Sequence, residues 1–163
     1  MSITPYEACI PPCITMLGNI KLWLDKAGEQ MPEAELLEAR LAPDMYALAR
    51  QVQIASDIAK GAAARLSGSE APAMADTEAS FAELKDRCDR TIAFLQGVDP
   101  AAVEAGYGGE IVVTFPNGGG MRFNGPTYVS GFVLPNLYFH ASMVYAILRG
   151  AGMLAEVVSA PER

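Results

Sequence analysis

FVLPNLYFHASMVYAILR, residues 132–149, is the stretch whose periodicity sets the architecture. Helical spacing places Val129, Val133, Asn136, His140, Val144 and Ile147 on one stripe of a long helix. The stripe is apolar at both ends and polar in the middle. A buried amide and a buried imidazole each need a hydrogen-bond partner, so another element must meet them there. His140 is the only histidine in the chain. Asn136 and His140 are therefore the sharpest candidates for a site. They fit a pocket or metal centre between facing helices, or a hydrogen-bonded pair that fixes helix register. Pro135 suits both readings, because its missing N–H frees the Gly131 carbonyl and bends the helix.

Working toward the N-terminus, this last helix is expected from about Pro126 to Arg149, stopping before Gly150 and Gly152. Ahead of it, Glu110–Phe115 and Met121–Asn124 read as two short strands joined by Pro116-Asn117-Gly118-Gly119-Gly120, a hairpin signal. The glycine run is a turn and not a phosphate cradle, since it lacks the Lys-Ser/Thr of a P-loop and does not open a helix. Residues 98–109 read as loop. Ser80 and Glu83 form a capping box for a third helix that ends at Gly97, with Phe81, Leu84, Cys88, Thr91, Ile92 and Leu95 inward.

A second long helix is expected to open at Pro43 and Asp44, with Met45, Leu48, Val52, Ala55, Ala59, Ala62 and Leu66 on its inner face. Its alanines imply close approach of a neighbour. Residues 31–42 suit a short helix and a turn, and Ser67 to Ala75 a loop. The first helix starts on the capping box of Thr4, Pro5 and Glu7, with Ile10, Cys13, Leu17, Ile20, Leu24 and Ala27 on one face. Pro11 and Pro12 predict a kink near residues 7–12, or a later start at Pro11. The sum is an all-α four-helix bundle with a small hairpin before the last helix. It would form one domain over residues 1–155, with a tail at 156–163.

Composition excludes several functions. The net charge is −7, and the 12 Lys and Arg are scattered rather than gathered in the stripe that nucleic-acid phosphates require. No basic-then-apolar leader opens the chain, and the apolar run near the C-terminus is broken by Pro135, Asn136 and His140, so neither export nor membrane insertion is expected. Cys9, Cys13 and Cys88 are then reduced thiols of a cytoplasmic protein. Cys9 and Cys13 stand at a spacing that can hold a metal, but they also suit a core in which thiols pack as small hydrophobes. On the second long helix, Gln51 projects toward the apolar side and is the natural partner for Asn136 or His140. Gln53 and Asp57 share a face with Arg50 and Lys60 that reads as solvated.

Three stretches carry a resemblance: ARLAPDMYALARQVQIASDIAKGAAARLSG (39–68), SFAELKDR (80–87) and LPNLYFHASMVYAILRGAG (134–152). They resemble a bacterial family of uncharacterised proteins grouped with the DinB/YfiT-like four-helix bundles. That resemblance implies an up-down-down-up bundle, often a homodimer. Many members of the wider group hold a divalent metal with three histidines, one on the second helix and two on the last, and some are thiol-dependent transferases or isomerases. Carried onto this chain, the second-helix position falls at Gln53 and the last-helix pair at Asn136 and His140. Only one of the three is histidine. Neutral amides are poor ligands for zinc or nickel, so no metal and no cofactor are expected.

Gln51, Gln53, Asn136 and His140 thus outline a degenerate pocket for a small molecule or a protein-interaction role, with Gln51 and Gln53 competing for the place opposite His140. The enzymatic alternative is a metal- or thiol-dependent transferase using His140, completed by Asp57 or a cysteine. Tyr138, Tyr145 and Leu134 on the last helix, with Trp23, Met16 and Ile3 on the first, offer apolar surface for a homodimer.

Overall fold

The computed structural model describes residues 2–115 and 117–153. Four long helices carry the core: α1 (Pro5–Gln30), α3 (Leu48–Ser67), α4 (Phe81–Gln96) and α7 (Leu134–Ala151). Between them lie α2 (Glu33–Leu37), α5 (Pro100–Tyr107), the strands β1 (Glu110–Thr114) and β2 (Gly120–Asn124), and α6 (Gly125–Tyr128). The fold is mostly helical, with the hairpin placed just before the last helical stretch.

α1, α3 and α4 bury the stripes their sequence marks, whereas α7 centres its buried face on Leu137 and Ala141 and leaves Asn136 and His140 only partly buried at its edge. α1 keeps one unbroken run from the Thr4 capping box onward, with Cys9, Ile10, Cys13, Leu17, Ile20, Leu24 and Ala27 buried. Pro11 and Pro12 lie inside it. α3 buries Val52, Ala55, Ala59, Ala62 and Ala63, small side chains that let α4, α5 and α7 approach. α7 packs on both α1 and α3, and α4 packs on the same two helices. The core is thus shared by all four.

Several element bounds differ from the sequence expectation, and the last helix runs on through Gly150 to Ala151 instead of stopping at Arg149. α3 starts at Leu48 and not at Pro43, because the preceding segment turns back. The Leu48 N–H donates to the Ala39 carbonyl at 2.9 Å, and that of Met45 to the Ala42 carbonyl at 3.0 Å. Residues 98–109, expected as loop, contain α5. Asp99 caps it by accepting from the Ala101 N–H at 3.0 Å, with Pro100 in the first turn. The last helical stretch begins one residue earlier than expected, where the Asn124 side chain accepts from the Thr127 N–H. It is interrupted by a π-helical turn over Val129–Val133. The Leu134 N–H there reaches back to the Val129 carbonyl, one residue further than in an α-helix. Pro135, which has no N–H to give Gly131, follows at once.

The strands pair antiparallel, with Ile111 opposite Phe123 and Val113 opposite Met121. Pro116 of the hairpin turn and the tail at 156–163 lie outside the described residues. Taken together, Gly125–Ala151 form a helical stretch of 27 residues whose most apolar 18-residue window has a mean hydropathy of 1.3, long and apolar enough to cross a membrane by length and composition. The breaks that Pro135, Asn136 and His140 suggest in the sequence are absorbed by this helical stretch. Here Val133, Leu137, Ala141, Val144 and Leu148 are buried and the stretch packs on α1 and α3, with 39% of that window buried.

Candidate functional site

The first turn of α3 and the middle of α7 meet at Gln51 and His140. Nδ1 of His140 lies 2.7 Å from Oε1 of Gln51. Gln51 is only 1% exposed, and its Nε2 donates to the Tyr46 carbonyl at 3.3 Å. His140 is half-buried, with the exposed Phe139 ring edge-on to it at 5.1 Å between centroids. Burial of the imidazole, and then the positive charge of Arg50, hold its pKa below that of an ordinary histidine. The ring is therefore neutral at neutral pH. Because protonation is disfavoured in the folded state, the corresponding stability is present above the unfolded pKa and is lost as pH falls.

The other two candidates are placed elsewhere. Asn136 donates to the Phe132 carbonyl of its own helix at 2.6 Å, next to the backbone that Pro135 and the π turn disturb. Gln53 is buried rather than solvated. It donates to Glu78 at 2.9 Å and accepts from Arg50 at 3.2 Å. The structure thus brings together Gln51 and His140, the pairing that helical spacing favours over Gln53.

Gln53 belongs to a second polar cluster centred on Arg87, which the sequence reading passed over. Arg87 is 1% exposed on α4. It donates to Glu78 at 2.8 Å, to Asp57 at 2.8 Å, to Ser56 at 3.3 Å and to the Ala75 carbonyl at 3.1 Å, with Asp76 a further ion partner at 3.0 Å. Arg50 pairs with Asp76 and Lys60 with Asp57. These bonds strap the segment between α3 and α4 across both helices. Burial pushes the Glu78 carboxyl up, but hydrogen bonds from Arg87, from backbone and from Gln53 outweigh it and leave the pKa lowered. Asp57 is committed to this cluster, not to His140. The signal was present in the sequence: Arg87 stands three residues after Leu84 and four before Thr91, on the inward stripe.

Cys9, Cys13 and Cys88 are all free and buried. A hydrogen bond with Cys9, and then burial, raise the Cys13 thiol, while burial pushes Cys88 up to about 12. Cys13 and Cys88 are therefore poor nucleophiles and poor ligands at neutral pH. A three-histidine metal centre does not fit these residues. One imidazole is present, its amide neighbour is already satisfied on both sides, and no group of three His, Cys, Asp or Glu able to hold a metal ion occurs among the described residues.

Residues 6–155 match the family described as a domain of unknown function, DUF1993. The chain belongs to this family. As a DUF1993 member it is similar in structure to a DinB family member protein from Shewanella denitrificans, solved as a crystal structure at 1.83 Å. The two share 32% identity and a TM-score of 0.85, over 97% of this chain and 94% of that one. The uncharacterised DinB-like family that the three sequence stretches resemble is thereby supported. No curated protein matches the DUF1993 chain.

Proposed function

We propose that this DUF1993 chain is an up-down-down-up bundle, one domain over residues 1–155, in which a DinB-type metal centre has been replaced by a hydrogen-bonded Gln51–His140 pair. In this reading it works in the cytoplasm and binds a small polar molecule at that place, without a resident metal or cofactor. The observation that carries the proposal is the 2.7 Å contact between Nδ1 of His140 and a fully buried Gln51 amide. That contact occupies the amide oxygen a cation would need and leaves a single strong donor, the imidazole. The transferase alternative has less support, since Asp57 is engaged by Arg87 and Lys60 and the thiols are buried. Titration of untagged protein with zinc or nickel in a calorimeter tests the reading. Binding several orders of magnitude weaker than that of a three-histidine centre is expected, with little change in His140→Ala. Tight stoichiometric binding lost in His140→Ala would overturn it.

A homodimer through the outer face of α1 and α7 is part of the same proposal. Trp23 and Tyr145 pack on each other at 5.2 Å between ring centroids and, with Met16 and Leu134, lie partly buried against the core. Tyr138, Leu22 and Ile3 remain exposed on these helices and just before them. Light scattering at micromolar concentration should give a mass near twice 17.3 kDa. A clean monomer would refute the dimer.

A further inference from the structure

The Gln51 amide has a fixed sense. Its Nε2 donates to the Tyr46 carbonyl at 3.3 Å. Turning the amide over would set Oε1 against that carbonyl oxygen, acceptor against acceptor, and would cost a buried group its hydrogen bond. With Oε1 directed at His140, the ring nitrogen 2.7 Å away must carry the hydrogen, because an amide oxygen only accepts. A neutral imidazole has one N–H, so Nε2 keeps a bare lone pair. In water a histidine side chain prefers the opposite tautomer, so the protein is imposing a choice.

We propose that Gln51 is a positioning residue. It holds His140 as the Nδ1–H tautomer and so presents Nε2 as the acceptor for a small molecule bearing a hydroxyl, thiol or amide N–H. The chain of cause runs from the turn before α3, through the Tyr46 carbonyl and the Gln51 amide, to the lone pair on α7. The inference rests on reading His140 as the centre of the site. It adds which nitrogen meets the ligand and what kind of group that ligand must offer.

Nitrogen NMR of the full-length, ¹⁵N-labelled chain without ligand tests it, and a single histidine makes the imidazole signals unambiguous. The expected spectrum at neutral pH has a protonated-type Nδ1 and a pyridine-type Nε2. Gln51→Met, which keeps the volume, should shift the population toward Nε2–H. Gln51→Glu should retain Nδ1–H and raise the imidazole midpoint by about one to two pH units, against the opposing charge of Arg50. A wild-type spectrum dominated by Nε2–H, or a tautomer unmoved in Gln51→Met, overturns the inference. Diethyl pyrocarbonate reports access to Nε2: one imidazole acylated per native chain supports it, and a ring that reacts only in urea overturns it. The tautomer is read on the free protein, so a small-molecule role could fail while this result stands.

Discussion

Replacing Arg87 with methionine is expected to destabilise the fold by about 3 kcal/mol, at the low end for breaking a buried ion pair. The guanidinium is almost wholly buried and is shared by Glu78, Asp57 and Asp76. Methionine fills much of the same volume, so the loss comes from the carboxylates left behind and not from a cavity. Asp57 and Asp76 are exposed enough for water to take over, and Lys60 and Arg50 remain to pair them. Glu78 is not, which is why the cost stays near the low end without vanishing. Urea unfolding followed by circular dichroism measures it. Adding Glu78→Gln to Arg87→Met should recover part of the loss, and a single-variant effect under about 1 kcal/mol would show that the strap is not structural. The pH dependence has the matching sign. The folded pKa of Glu78 is lowered, so its contribution is present above the unfolded value and is lost as pH falls below about 4.3. That acid sensitivity should be blunted in the double variant.

Gly106→Ala is expected to cost about 2–3 kcal/mol by overpacking against backbone. A Cβ at Gly106 would stand 1.9 Å from the Leu66 carbonyl oxygen, which belongs to the last turn of α3 and cannot swing aside as a side chain would. Either α5 lifts from α3 or the end of α3 unwinds. Gly18→Ala is the control, since nothing lies within 4 Å of its Cβ and the site is inside α1. There the gain in helix propensity should stabilise by about 0.5–1 kcal/mol. Thermal unfolding of the two variants side by side should move in opposite directions. Equal and small shifts would mean that α5 does not sit tightly on α3.

Much of this was legible in the sequence because α1, α3 and α4 bury plain stripes and α1 and α4 carry explicit caps. The Thr4 box, Ser80 and the 3,4 rhythm of α3 needed no tertiary information. The start of α3 was misread because Pro43 and Asp44 form a good helix opening locally, and only the Leu48–Ala39 bond shows that the chain turns there instead. α5 was missed because its Asp99-Pro100 start precedes only 8 helical residues, of which Val103 alone is buried, too short a run to show a 3,4 rhythm. Arg87 was overlooked because a charge on an apolar stripe reads as solvated until its acidic partners are known, and two of them, Asp76 and Glu78, come from a loop without periodicity. At the site, spacing selected Gln51 correctly, while the family pattern pointed to Gln53. Asn136 escaped both, since its bond to Phe132 depends on backbone that Pro135 and the π turn rearrange.

The replacement of a metal centre by the Gln51–His140 pair is tested most directly by elemental analysis of untagged protein, purified without chelators or metal-affinity resin. Far less than one zinc, nickel or iron per chain is the expected result. About one such ion per chain, released when His140 is replaced by alanine, would contradict it.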